Sequence, residues 1–212
     1  MKKLLIATNN KGKVKELRDL LKDMDVELVM PADINLDLNV VEDGHTYAEN
    51  AVKKALAFAQ ASSMISLADD SGLEVDALDG APGLYSARYG PPLTLPPFLE
   101  KMGGDGGGYT DADRRTHLLE NLKDKPRPWT AHFHATIAIV TTDKTVQLAE
   151  GNCYGEIIPE ERGTGGFGYD PIFFFPELGK TMAELGMEQK NRLSHRARAV
   201  MNAIPILEKL LG

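Results

Sequence analysis

Leu4-Leu5-Ile6-Ala7 is a continuous apolar run, the pattern of a strand buried on both faces. A polar stretch follows, and apolar residues then recur at Val14, Leu17, Leu20 and Leu21 with helical spacing. The opening is therefore strand, loop, helix. Val26 to Met30 reads as the next strand, closed by Pro31. Thr46-Tyr47-Ala48-Glu49 has the spacing of a capping box, and Ala48, Ala51, Val52, Ala55, Leu56 and Ala59 mark one packed helix face behind it. Ile65-Ser66-Leu67-Ala68 is a short apolar strand with the acidic pair Asp69-Asp70 at its carboxyl end, where open α/β sheets bind ligands.

The second half is richer in strands. From Gly80 to Gly108 the chain is dense in Pro and Gly, and its part from Pro91 to Asp105 reads as a long surface excursion carrying Leu93, Leu95, Phe98 and Leu99. A helix is expected from about Asp111 to Lys123. His132 to Val140 and Thr145 to Ala149 read as antiparallel strands around the turn Thr142-Asp143-Lys144. Tyr154 to Ile158 extends the sheet, and Ile172 to Phe175 adds a strand. The closing helix begins near Ser194 and carries Ala197, Val200, Ala203, Ile204 and Leu207, with Pro205 expected to kink or split it. The class is mixed α/β: 1–212 as a single domain, without a linker or internal repeat.

Composition narrows the partners. The 212 residues are 42% hydrophobic, enough for a sizeable core, and the formal charge of −7 disfavours a nucleic-acid backbone as partner. The single cysteine, Cys153, forms no internal disulfide and suits a reducing compartment. The N-terminal apolar run stops at Thr8, short of the roughly 7–15 residues of a signal-peptide core. No stretch approaches the roughly 18 apolar residues of a membrane span. A cytoplasmic protein that binds neither membrane nor nucleic acid is expected.

Four polar clusters carry candidate chemistry. Thr8-Asn9-Asn10-Lys11-Gly12-Lys13, between a strand and a helix, combines helix-start N–H groups, a hydroxyl, amides and ammonium groups into a natural phosphate cradle, although such a polar βα loop taken alone is more often a solvated turn. Glu42-Asp43-Gly44 offers a hard-cation ligand at Glu42, while Asp43 suits the helix dipole better. Lys53 and Lys54 read as surface lysines. In Asp69-Asp70-Ser71-Gly72, successive side chains point to opposite faces, so one carboxylate can face a ligand while its neighbour holds the loop. Their mutual repulsion is relieved by a divalent cation; an Asx-turn is the bland reading. The fourth cluster runs from Gly163 to Arg196. It sets Phe167 and Tyr169 among glycines and follows them with Lys190, Ser194, His195 and Arg196, which suits an aromatic platform with donors for a nucleobase.

Taken in order, these segments resemble the inosine triphosphate pyrophosphatase family. The matching stretches are Thr8 to Lys13, Glu42-Asp43-Gly44-His45-Thr46-Tyr47 through Asn50-Ala51, Ala68-Asp69-Asp70-Ser71-Gly72-Leu73, Gly80-Ala81-Pro82-Gly83, Tyr85-Ser86-Ala87-Arg88-Tyr89, Gly165 through Pro171, and Leu193-Ser194-His195-Arg196. The resemblance implies an elongated mixed α/β fold with a long central sheet flanked by helices, and two lobes with an active-site cleft between them. It also implies a homodimer. The implied reaction is Mg²⁺-dependent hydrolysis of ITP, dITP and XTP to monophosphate and pyrophosphate.

Carried over by position, the loop Thr8, Asn9, Asn10, Lys11, Gly12 and Lys13 binds the phosphates with Lys54 assisting. Glu42 and Asp70 place the metal, Asp70 is the general base, and Ser71 lies beside the substrate. Phe167 stacks on the base with Gly168, Tyr169 and Asp170 completing that wall, and Lys190, His195 and Arg196 read the purine 6-oxo edge. Two other readings stand beside this one. One is a nucleotide pyrophosphatase resembling the Maf-like group; the other is a purine-nucleotide sensor without turnover. Ser194-His195-Arg196 and the Phe-Gly-Tyr-Asp-Pro run favour the first family over the Maf-like group. Asp70 together with Glu42 argues against a pure binder.

Overall fold

The computed structural model describes residues 2–91 and 108–212. The expected excursion with Leu93, Leu95, Phe98 and Leu99 lies outside the described residues. Chain contacts divide the protein into two compact units. The first is Met1–Ser71, Ala135–Asn152 and Asn191–Gly212; the second is Gly72–His134 and Cys153–Lys190.

Among the described residues the strands are β1 (Lys2–Ile6), β2 (Val26–Val29), β3 (Ile65–Val75), β4 (Trp129–Val140), β5 (Val146–Ile157), β6 (Phe173–Phe175) and β7 (Lys180–Thr181). They hydrogen-bond in the order β2-β1-β3-β4-β5-β6-β7. β1 pairs in parallel with both β2 and β3, whereas β5–β6 and β6–β7 are antiparallel. The mixed α/β class expected from the pattern is thus a mixed sheet flanked by the helices α1 (Lys11–Leu20), α2 (Tyr47–Ser62), α3 (Asp111–Leu122), α4 (Met187–Leu193) and α5 (His195–Leu211).

In the first unit, strand alternation sorts the core into two layers. Leu4, Ile6 and Leu67 pack with Leu17 and Leu21 and with Ala199, Val200, Ala203 and Leu207 of α5. Leu5, Ala7 and Ala68 take the opposite face and pack with Ala51, Ala55, Phe58 and Ala59 of α2. A run of consecutive apolar residues is what a strand covered on both faces requires. The same alternation continues into the acidic pair, so Asp69 follows Leu67 toward α1 and α5 while Asp70 follows Ala68 toward α2.

The second unit centres on aromatic residues. Phe133 and Phe173 lie with ring centroids 4.7 Å apart, and Phe175 meets Phe173 edge-on at 5.4 Å. Leu118 and Leu122 of α3 are fully buried.

Several boundaries differ from expectation. β3 does not end at Ala68 but runs through Asp69 and Asp70 to Val75, and the charge this puts inside the strand is met at Asp69 by Lys13 and Arg196. Val146 to Ile157 is one continuous strand rather than two. The Lys190 segment is its own short helix, α4, where the pattern was too brief to read. α5 continues through Pro205. The carbonyl that Pro205 cannot bond belongs to Met201, a residue on the exposed side of the helix at 58% exposure. At α2, Thr46 Oγ1 accepts from Glu49 N at 3.1 Å, but the Glu49 carboxylate accepts from His45 N rather than closing the expected reciprocal box.

Candidate active site

The phosphate-loop candidate lies at the start of α1. Asn10 is the N-cap: its Oδ1 accepts from Lys13 N at 3.1 Å, and its own N–H donates to Thr8 Oγ1 at 3.2 Å. Asn9 and Lys11 are exposed, while Thr8, Gly12 and Lys13 are half-buried. Capping with a side-chain amide fixes where the helix begins, and so where its remaining N–H groups point. Lys13 reaches back across the loop, its Nζ 2.9 Å from Asp69 Oδ2 and 3.2 Å from the Asp69 carbonyl.

The Glu42 loop is set by α2. Asn50, buried in that helix, accepts through Oδ1 from Gly44 N at 2.8 Å. A Cβ on Gly44 would stand 2.6 Å from that oxygen, so only glycine fits. One residue before Gly44, Asp43 pairs with Lys53 at the surface, where such a contact is worth little. Glu42 turns the other way. Its Oε2 accepts from Lys54 Nζ at 2.7 Å, and the same ammonium donates to the Asp69 carbonyl at 2.9 Å and to Asp70 Oδ1 at 3.4 Å. Lys54, which the pattern reads as a surface lysine, is only 12% exposed and joins both metal-ligand candidates.

On the other face of β3, Asp69 is fully enclosed. Its Oδ2 accepts from Arg196 Nε at 3.2 Å and Nη2 at 3.0 Å, as well as from Lys13. Arg196 Nη2 also donates to Ser71 Oγ at 2.9 Å, and Nη1 donates to Glu16 Oε2 at 2.5 Å. The guanidinium is 2% exposed. The resemblance assigns Arg196 to the purine edge; in the structure its donors are engaged with Asp69, Glu16 and Ser71. Glu16 is the residue that motif reading missed. Its signal was a carboxylate one turn past Lys13 and next to the core residue Leu17, a position that buries it.

The two adjacent aspartates are driven apart electrostatically. Burial opposes ionisation of Asp69, but Arg196, Lys13 and Lys54 outweigh it and hold its carboxyl well below the usual range. For Asp70 burial prevails: aided by repulsion from Glu42 and Asp69, it raises the carboxyl above its ordinary value despite Lys54 and Lys13. Lys54 is held charged, because Asp70, Glu42 and Asp69 together outweigh the effect of its burial. One aspartate is thus a permanent counterion. The other is the better proton acceptor.

In the second unit, Phe167 is half-buried and its backbone N–H donates to Asp170 Oδ2 at 2.9 Å. Lys190 Nζ donates to the same oxygen at 2.6 Å and lies 5.4 Å from the Phe167 ring centroid. Tyr169 is buried and its hydroxyl donates to the Ser86 carbonyl at 3.0 Å, which makes it an anchor for the loop rather than an exposed wall. His195 opens α5, is 5% exposed, and belongs to the first unit.

A hard divalent cation suits Glu42 and Asp70. Both offer carboxylate oxygens and converge on one ammonium, and Mg²⁺ is commonly held by one or two carboxylates plus phosphate oxygens and water. Among the described residues there is no group of three or more His, Cys, Asp or Glu residues that could hold a metal ion.

The model of the Ham1 family matches residues 4–206. The chain belongs to the Ham1 family. It is 46% identical over 209 residues to the dITP/XTP pyrophosphatase of Desulforamulus reducens, covering 98% of this chain and 96% of that protein. It is 44% identical to the dITP/XTP pyrophosphatase of Listeria monocytogenes serotype 4b, covering 100% and 96%. Among solved structures, the HAM1 protein of Coxiella burnetii superposes with a TM-score of 0.83 at 34% identity, covering 99% and 100%. The Ham1 family match and these relatives therefore cover nearly the whole of this chain.

Proposed function

We propose that this Ham1 protein hydrolyses deaminated purine nucleoside triphosphates (dITP, XTP and ITP) to the monophosphate and pyrophosphate, removing them from the nucleotide pool. The observation that carries the reading is the division of labour at Asp69-Asp70. One carboxylate is locked as a counterion. The other stands on the opposite face of β3, beside Lys54 and Glu42.

In this reading Thr8, Asn9, Asn10, Lys11, Gly12 and Lys13 receive the triphosphate at the start of α1, and Lys54 adds a second ammonium. Asp70 orients a water for attack on the α-phosphorus and takes its proton as the new P–O bond forms. The bond to the β-phosphate breaks, and pyrophosphate leaves under the charge of Lys13 and Lys54. Mg²⁺, held by Glu42 and Asp70, supplies neutralisation of phosphate charge when bound. Ser71 lies beside the substrate, fixed by its bond from Arg196.

Phe167 stacks on the base. Lys190, held by Asp170, donates to the 6-oxo group, and His195 adds a further donor. Adenine presents an amino donor where these bases present a carbonyl, so a donor-lined site leaves polar groups unpaired with ATP. Arg196 acts through Asp69 rather than on the base. No helix among the described residues is long and apolar enough to cross a membrane. We extend the reading to one catalytic domain, a cytoplasmic location and a homodimer.

The test is product identification. Incubation with Mg²⁺ and ITP, XTP, dITP, ATP, GTP or dUTP, followed by phosphorus NMR, should yield IMP and pyrophosphate from ITP. Orthophosphate and IDP would overturn α–β cleavage. Binding without products would make the protein a sensor.

A further inference from the structure

Phe167 sits in a loop that should not, by composition, hold a ring still. Gly166 and Gly168 flank it, both at positive φ. At Gly168 a Cβ would meet nothing within 4 Å, so the φ of +62° alone accounts for glycine there. Such a backbone is free to move in isolation, and a ring carried on it would have to be ordered each time a base bound. Asp170 restrains the Phe167 N–H from one side.

The next residue is restrained by α3. Gly168 N donates to Asp111 Oδ2 at 2.7 Å, and Gly168 O accepts from Arg115 Nη1 at 2.8 Å. Both hydrogen-bonding groups of a single residue are therefore taken by one helix. The spacing explains how: positions four apart lie on the same helix face, so Asp111 presents an acceptor and Arg115 a donor one turn further on. Each side chain is itself fixed. Asp111 pairs with Arg114, and the Arg115 fork grips Glu161 through Nε and Nη2 at 2.8 Å each. The start of α3 is locked by the reciprocal capping of Thr110 and Asp113.

We propose that Asp111 and Arg115 are positioning residues for base recognition, clamping the Gly168 peptide groups so that the Phe167 ring is ordered before nucleotide arrives. This inference rests on the reading of Phe167 as the stacking ring. Both residues belong to the second unit, whereas the phosphate loop and Asp70 belong to the first, so their loss acts on the base end of the substrate alone.

The experiment uses the full chain with Mg²⁺ and compares Asp111→Ala, Asp111→Asn, Arg115→Met and Phe167→Ala. KM and kcat are measured with ITP, and inhibition by inorganic tripolyphosphate reports phosphate binding without a base. Asp111→Ala and Arg115→Met should each raise KM about ten- to hundredfold, the range for one lost charge-assisted hydrogen bond. Values of kcat should stay within about twofold, and the tripolyphosphate constant should not move. Asp111→Asn should recover most of the KM, since its amide oxygen still accepts from Gly168 N. If Phe167→Ala raises KM while Asp111→Ala and Arg115→Met do not, the clamp is refuted and the stacking ring survives. A tripolyphosphate constant that weakens in step with KM also refutes it, since the damage would then be general. If Phe167→Ala leaves KM unchanged, the stacking reading falls first and the clamp's role falls with it.

Discussion

Replacing Arg196 by methionine separates the two roles available to this residue. Met keeps much of the length and apolar volume but removes the charge. The guanidinium side chain is 2% exposed, the Asp69 side chain 0% and the Glu16 side chain 6%. Its loss strips Asp69 Oδ2 of two donors and takes from Glu16 the charge to which its 2.5 Å bond is made. Lys13 still faces Asp69 at 2.9 Å, so the loss falls short of stripping Asp69 of all its positive charge. Removing one partner from a buried ion pair costs about 3–5 kcal/mol. For a chain of this size each kcal/mol moves Tm by about 2–4 °C, so Arg196→Met should melt about 6–20 °C below wild type. Thermal unfolding followed by circular dichroism, near neutral pH and without nucleotide, measures it. Adding Glu16→Gln should restore part of the loss, because one of the stranded charges is then gone. A melting temperature within about 2 °C of wild type would refute the clamp on Asp69 and return Arg196 to the purine edge.

Three further outcomes follow from the same geometry. Asp70→Asn should lower kcat about 10²–10⁴-fold, the usual contribution of a positioned general base; full activity in a steady-state assay would remove that assignment. Tyr169→Phe should destabilise by about 1 kcal/mol through loss of the bond to the Ser86 carbonyl, seen in denaturant titration, with kcat for ITP unchanged. Burial works to raise the Asp111 pKa, but the Gly168 N–H and Arg114 outweigh it and leave the pKa below its ordinary value. Its bond to Gly168 therefore has its full charge-assisted strength at neutral pH and is weakened as pH falls below the ordinary carboxylate range. Gly168 amide protection in hydrogen exchange should decline only there, and a decline between pH 6 and 8 would contradict the assignment.

Much of this protein was legible in one dimension. The uninterrupted run at Leu4 to Ala7 demands a strand covered on both faces, because an apolar side chain on either face must leave water. The spacing of Ala51, Ala55 and Ala59 likewise demands a helix packed closely along one stripe. Successive residues of a strand point oppositely, so the separation of Asp69 from Asp70 was also implied before any fold was known. Asp70, Glu42 and the Lys13 loop could be singled out by residue type and by their resemblance to a family.

What the chain order could not decide was which charges meet. Lys54 reads as a surface lysine by local pattern, yet its ammonium joins Glu42 to Asp70. Arg196 reads as a donor in a polar helix start, yet it is buried against Asp69, 127 residues away in sequence, and against Glu16, 180 away. Asp111 and Arg115 belong to a helix that no motif marked, and they hold the residue next to Phe167. Periodicity is a local property, fixed by backbone geometry over a few residues. The pairing of buried charges is not, since the cost of desolvating one ion is offset only by whichever partner the fold brings within about 3–4 Å. The sequence alone determined the layers, the strand faces and the residues able to do chemistry. Only the tertiary structure decided that Asp69 is enclosed with Arg196 and Lys13, and that Asp70 stands on the other face of the strand with Lys54 and Glu42.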